Sequence, residues 1–385
     1  MDKNKTIYLD YAAATPMLLE VRKIMEPYYS NSFYNPSATY LKGQNIRKDI
    51  EKARGRVAHW LGARPSNITF TSGGSEANNL AIHGIMRRYK GANVLISAIE
   101  HESVRAPAGK YNSKEIAVNK DGRVDTEDLK KKIDDKTVLI SIMYANNEIG
   151  TVQPIKDVAR IVNEERIKRG SKGLPLYLHT DACQAANYLD LHVSRLGVDL
   201  MSLNSGKIYG PKQVGALFHK TGAQLDPLID GGGQEQGLRS GTENVPGIIG
   251  FSAALDIVQS SRNEESKRLA VLREQLIDQL EKEVPNLIIN GSRHYRLPNN
   301  IHITIPGVDN ERLLMELDEK GIQAAAGSAC QASAEEPSHV LKAIGASEKD
   351  AQSSLRMTIG RNTTQEDITK TINFLKNYRA HSSEI

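Results

Sequence analysis

Apolar positions along the chain follow two periods in turn. Between about residues 40 and 220, short apolar runs of strand length occur at Ile68–Thr71, Val94–Ser97, Val138–Met143, Leu176–Thr180, Leu200–Leu203 and Val214–Phe218. Between them lie stretches in which apolar residues recur every three or four positions, including Ile46–Leu61, a helix opening near Glu76, and Ile155–Lys168. Strand and helix in alternation predict an α/β domain with a largely parallel, doubly wound sheet. Past Gly231-Gly232-Gly233 the texture changes to one long helical pattern from Val245 to Glu283, long enough to bridge two domains. Strands near Leu287–Ile289, Ile301–Ile305 and Leu355–Ile359, with helices near Glu311–Glu319 and Thr364–Tyr378, then predict a compact α+β module.

Composition narrows the class without naming a function. The 385 residues hold 50 Lys and Arg against 46 Asp and Glu, a formal net charge of +4, and 39% are apolar. This is the balance of an ordinary globular protein. Charges alternate in sign, as from Lys130 to Lys136, which reads as the wet face of a helix and not as a nucleic-acid groove. No apolar run reaches membrane-helix length and no signal-peptide core is visible, so the expectation is a cytoplasmic protein with no membrane or direct nucleic-acid partner. The two cysteines, Cys183 and Cys330, support neither a disulfide framework nor a thiolate metal site.

Three segments carry candidate chemistry. In Thr71-Ser72-Gly73-Gly74-Ser75-Glu76 a strand ends, two glycines permit a tight turn, and a helix begins whose exposed backbone N–H groups suit a phosphate. Taken alone it reads equally well as a plain glycine turn, and it is neither a Walker loop nor a dinucleotide fingerprint. Asp181, in His179-Thr180-Asp181-Ala182-Cys183-Gln184, sits at the C-terminal end of an apolar strand, the edge where open α/β sheets bind ligands. Lys207 follows the next strand in Asn204-Ser205-Gly206-Lys207, where most lysines would simply be solvated. Together the three supply what pyridoxal phosphate needs: a Schiff-base lysine, an acid for the pyridine nitrogen and a phosphate-binding helix start.

These segments, with YLDYAAATP at 8–16, NPSATY at 35–40, EHESV at 100–104, NNEIGTVQPI at 146–155, RSGTENV at 239–245, GSACQASAEEPSHVL at 327–341 and RMTIGR at 356–361, closely resemble the NifS/IscS-type cysteine desulfurases over nearly the whole chain. The resemblance implies a fold-type I pyridoxal 5'-phosphate enzyme. Its large domain, 14–258, would hold a seven-stranded sheet, and its small α+β domain, 1–13 with 259–385, would carry the catalytic cysteine on a loop at about 324–336. It further implies that Lys207 bears the cofactor, Asp181 pairs with the pyridine nitrogen, Gln184 meets the ring hydroxyl, and His101 stacks on the ring and moves protons. Gly74, Ser75 and Ser205 would contact the phosphate, with Thr242 reaching across a homodimer to the neighbouring site. Asn147, Arg356 and Asn35 would hold the substrate, L-cysteine, Asn147 also contacting the cofactor, and Cys330 would take the sulfur as a persulfide for a protein acceptor, an iron–sulfur scaffold or a tRNA-thiolation enzyme. The small residues around Cys330 predict a mobile loop, whereas Cys183 reads as a buried filler. Departures occur at Gly206, where relatives commonly have histidine, and at Tyr11 and Tyr40, in segments expected to line the substrate side. A selenocysteine lyase, an aminotransferase, or a non-catalytic sulfur-relay platform are the alternatives on this fold.

Overall fold

The computed structural model describes residues 6–327 and 337–382. Its strands, in chain order, are β1 (Ile7–Tyr8), β2 (Ile68–Thr71), β3 (Asn93–Ser97), β4 (Asn112–Ile116), β5 (Thr137–Ser141), β6 (Tyr177–Asp181), β7 (Leu200–Asn204), β8 (Gly215–His219), β9 (Ile288–Ile289), β10 (Asn300–Thr304), β11 (Ile322–Gln323) and β12 (Ser354–Thr358). Seven form the central sheet, in the order β2-β8-β7-β6-β5-β3-β4. Only β8 runs against its neighbours. Helices cover both faces, which is why β3 and β5 bury every residue and read as unbroken apolar runs. The edge strand β4, Asn-Ser-Lys-Glu-Ile, buries only Ile116. Its polar side chains suit an exposed edge, and they hide it from a hydrophobic-pattern reading.

The expected bridging helix is in fact two. Val245–Ser260 and Arg262–Glu283 meet at Ser261, whose backbone leaves helical geometry (φ −94°, ψ 3°) and whose hydroxyl donates to the Ile257 carbonyl at 2.8 Å. The break lets each helix serve a different core. The first is apolar almost all round and packs into the large-sheet core with Phe70 and Val57. The second turns a single stripe, Leu269, Leu272, Leu276, Ile277 and Leu280, into a separate core with Ile301, Ile303, Leu355, Met357 and Leu375. The three-stranded sheet β12-β10-β9 lies in that second core.

Ile7 and Leu9 also belong to the second core, although they open the chain. β1 pairs in parallel with β11. The Leu9 N–H donates to the Gln323 carbonyl at 2.8 Å, and the Leu9 carbonyl accepts from the Thr358 N–H at 2.7 Å. The segment then crosses to the large sheet, where the Thr15 N–H reaches the Gly206 carbonyl at 3.3 Å. Among the described residues no helix is long and apolar enough to cross a membrane.

Candidate active site

The carboxyl ends of the parallel strands converge on one pocket, lined by Lys207, Asp181, His101 and Arg356. Asp181 closes β6 and is buried. Its Oδ1 accepts from the Cys183 N–H at 2.9 Å and its Oδ2 from the Asn78 amide at 2.7 Å. The same Asn78 nitrogen donates to Ser103 Oγ at 2.8 Å, and that hydroxyl lies 2.8 Å from His101 Nδ1. A continuous polar chain therefore ties the acid to the histidine. His101 also caps the helix Glu102–Ala108, Nδ1 accepting from the Ser103 N–H at 3.1 Å, which leaves the neutral ring's proton on Nε2. Asn78 and Ser103 escaped the sequence reading because each looks like an ordinary helix-start residue; only three strand ends meeting at one edge reveal the connection.

Beneath Asp181, on the same face of β6, His179 is fully buried between Ser141 Oγ and Ser202 Oγ at 2.8 and 2.9 Å. Burial pulls its pKa down to about 4, so it is a neutral polar strut. Glu100, next to His101, is also fully buried; burial raises its pKa well above the carboxylate range, while Oε1 accepts from the Met143 N–H. Cys183 lines the pocket, and burial, followed by the nearby Asp181 charge, pushes its thiol up. That is the inert filler expected for it.

Lys207 emerges from the turn Ser205–Lys207 after β7, its Nζ donating to the Ala12 and Ala13 carbonyls at 2.9 and 2.6 Å. The Gln184 amide donates to Ala12 O at 3.0 Å beside it. Ser205, expected to face the phosphate, does not line the pocket: the tight turn tucks it, fully buried, against Gly210. Asn204 takes the place, lining the pocket and accepting from the Gly206 N–H at 3.0 Å. Gly206 itself has room for a side chain, its nearest neighbour lying 3.5 Å from an added Cβ.

Opposite stands Arg356 on β12, only 1% exposed. One terminal nitrogen donates to Asp10 Oδ1 at 2.8 Å and the other to the Asn147 carbonyl at 3.3 Å, while its buried Nε has no partner. Gly74 and Ser75, at the start of the helix Gly74–Met86, complete the wall, where a Cβ on Gly74 would stand 2.7 Å from Cys183 Sγ. The preceding Gly73 holds φ +147°, which side chains resist. An amine, a buried carboxylate, a helix start open to the pocket and an orphaned guanidinium N–H form a donor set that fits pyridoxal phosphate and an amino acid. No group of three or more metal-binding side chains occurs among the described residues.

Two more expected residues, besides Ser205, are not in this pocket. Asn35 is exposed, its Oδ1 accepting from the Ser37 N–H at 2.8 Å, and Thr242 is exposed on the segment following Gly241. Tyr11 turns away from the pocket, packing against Tyr8 and Tyr209 and over Gly360, and Tyr40 is an exposed helix cap. Neither tyrosine lines the pocket. Cys330 lies outside the described residues.

The aminotransferase class-V family profile matches residues 7–371. A cysteine desulfurase IscS of Dictyoglomus turgidum is 42% identical over 379 residues, covering 97% of this chain and 94% of that protein. A cysteine desulfurase IscS 1 of Archaeoglobus fulgidus is 41% identical, covering 96% and 95%. Among solved structures, a NifS-like protein superposes with a TM-score of 0.90 at 31% identity over 98% of this chain and 100% of that one. A structure of SspA in complex with cysteine gives 0.80 at 35% identity over 92% and 99%. Shared sequence along nearly the whole length, together with the shared fold, means that the chain belongs to the class-V aminotransferase family and, within it, to the pyridoxal phosphate-dependent cysteine desulfurases of the NifS/IscS type.

Proposed function

We propose that the protein converts L-cysteine to L-alanine and passes the sulfur to Cys330 as a persulfide, with Lys207, Asp181, Gln184, His101, Gly74, Ser75 and Asn204 holding the cofactor. What supports this reading most is the convergence of Lys207, Asp181, His101 and Arg356 on one pocket. When bound, the cofactor supplies an electron sink that weakens the bonds at the substrate's α-carbon. The Arg356 Nε–H and the half-buried Asn147 take the substrate carboxylate, a planar fork being shaped for it. Lys207 removes the α-proton. The Cys330 thiolate then forms an S–S bond with the substrate sulfur as the C–S bond breaks, its electron pair staying on carbon. Protons returned by Lys207 or by Nε2 of His101 complete alanine.

We assign the two cores to two domains, 14–258 and 1–13 with 259–385. We also assign a homodimer in which Thr242 and the Asn35 loop serve the partner's site. The exposed Tyr29, Phe33 and Leu41, all from the same stretch as Asn35, support that pairing. The persulfide would pass to a protein acceptor, an iron–sulfur scaffold or a tRNA-thiolation enzyme, in the cytoplasm, where thiols stay reduced. The test is to incubate the purified protein with L-cysteine and a reductant and to follow alanine and sulfide together. Equal amounts of both, lost in Cys330→Ala, are expected; undiminished sulfide from that variant would refute the nucleophile.

A further inference from the structure

Asn187 Nδ2 donates to the Lys207 carbonyl at 2.6 Å, from a residue that is 7% exposed. Only the amide nitrogen can take that place, since an oxygen would face another oxygen. Asn187 Oδ1 is buried and has no hydrogen-bond partner among the described residues. An unpaired buried acceptor is costly, so it is the nitrogen's bond that accounts for an amide at this position.

The backbone around Asn187 is fixed without help from its side chain. The Ala185 and Ala186 N–H groups both donate to the Ala182 carbonyl, at 3.0 and 3.1 Å. The Gln259 amide, from the helix Val245–Ser260, clasps the Ala186 and Leu189 carbonyls on either side at 2.6 and 3.2 Å. Asn187 is thus carried on a rigid turn that starts directly after Asp181.

The two segments that Asn187 joins are the continuations of β6 and β7. Their ladder pairs Asp181 with Ser202, and the Ala182 N–H reaches the Ser202 carbonyl at 3.0 Å. Beyond that bond the strands part, β6 into the turn with Asn187 and β7 into the turn with Lys207, and the Asn187 amide rejoins them. Thr15 also holds the lysine's turn, its N–H and Oγ1 donating to the Gly206 carbonyl at 3.3 and 3.2 Å. Thr15, however, belongs to the segment that holds the amine through Ala12 and Ala13. It fixes Lys207 relative to that segment, whereas Asn187 fixes the backbone of Lys207 relative to the element that ends in Asp181.

We propose that Asn187 is a positioning residue for the cofactor: by bracing the Lys207 backbone against the turn after Asp181, it sets the separation between the amine and the acid that meet opposite ends of one ring. This rests on the assignment of Lys207 and Asp181 as cofactor partners above. The ring of pyridoxal phosphate is planar and does not stretch, so a separation that drifts serves one contact at the expense of the other. Constellations of this kind work when held to within about 0.5 Å.

The experiment is a double-mutant cycle of Asn187→Ala with Asp181→Asn in the full chain, read as the dissociation constant of pyridoxal 5'-phosphate by equilibrium dialysis. Asn187→Ala alone is expected to weaken cofactor binding about tenfold, the upper end of what one hydrogen bond carries. In the Asp181→Asn background the nitrogen end of the ring is no longer held by charge, and a displaced lysine carries the ring with it. There Asn187→Ala is expected to cost no more than about twofold. A side chain that only stabilised the fold would weaken binding by the same factor in both backgrounds. Equal factors would therefore overturn the proposal, as would binding by Asn187→Ala within about twofold of the parent. Asn187→Ser, whose hydroxyl stops one bond short of the carbonyl, supplies the same cycle if the alanine variant does not fold. The visible band of Lys207→Ala separates the two levels. If the band persists unchanged, Lys207 is not the cofactor's lysine and the proposal falls with that assignment; if the band is lost while Asn187→Ala binds cofactor as the parent does, only the brace falls.

Discussion

Gly74→Ala places a methyl group where the Cys183 sulfur already lies. The added carbon would stand 2.7 Å from Sγ and 3.2 Å from Asn204 Cβ. Non-bonded carbon contacts settle at about 3.5–4.0 Å, so roughly 1 Å of overlap must be relieved. Cys183 cannot easily yield, because it is buried and its N–H is held by Asp181. Overpacking of this kind costs about 1–3 kcal/mol. The better helix propensity of alanine returns about 0.5–1 kcal/mol. The net is a loss of up to about 2.5 kcal/mol, or up to about 10 °C in melting temperature at roughly 2–4 °C per kcal/mol for a domain of this size class. Because the relief must come from the wall facing the cofactor, Gly74→Ala should also shed cofactor faster on dialysis, read as loss of visible absorbance. Cys183→Ala removes the obstructing atom. In the double variant, Gly74→Ala should therefore cost little, giving a coupling of about 1–3 kcal/mol, the overpacking cost that is relieved, in a thermal double-mutant cycle. Strictly additive effects would refute the steric account.

Other expectations follow from buried charge. Arg54→Ala strands Glu235, which it grips through two nitrogens at 2.7 and 2.8 Å with both side chains buried, and should cost about 3–5 kcal/mol in the denaturant midpoint; a cost below about 1 kcal/mol would show the pair to be dispensable. His179 and His302 have pKa values lowered by burial to about 4 and about 3, with neighbouring Arg296 and Arg356 adding to the shift at His302. The unfolded state therefore binds protons first, so this stabilisation is complete above about pH 6.5 and is lost as pH falls toward 4 and 3. Relative to the parent, His179→Gln should flatten the decline in urea midpoint over that window by about 3 kcal/mol, and an unchanged pH profile would contradict a buried neutral imidazole. Lys207→Ala should lose the visible cofactor band, and an unaltered band would reject that lysine.

The sheet was legible because its strands are buried on both faces: Ile68–Thr71 is predicted to the residue, and the other predicted large-sheet strands to within two residues at either end. What the hydrophobic pattern could not show was phase and distance. Ser205 and Asn204 are adjacent and both polar, and only the tight turn after β7 decides which one faces the pocket. Arg356 was marked as a carboxylate fork, yet its ion pair with Asp10 joins positions at opposite ends of the chain. The break at Ser261 leaves no proline or glycine to betray it, since each half is a good helix in its own right. Asn35 and Thr242 came from the resemblance alone, and nothing about their local sequence says which pocket they serve.

The crossing made by the chain's first residues has a consequence for assembly. Lys207 is held by the carbonyls of Ala12 and Ala13, and that segment is itself fixed by Gln323 and Thr358. Such pairings, more than 300 residues apart in sequence, are among the slowest contacts for a chain to find. During synthesis the seven-stranded sheet is spelled out before β11 and β12 leave the ribosome, so residues 7–13 must wait for partners made more than 300 residues later. A nascent chain can therefore present a finished sheet edge with its lysine, acid and histidine but without the wall that holds the amine. Competence to retain the cofactor therefore waits on β11 and β12, which contribute no residue to the sheet that displays the lysine.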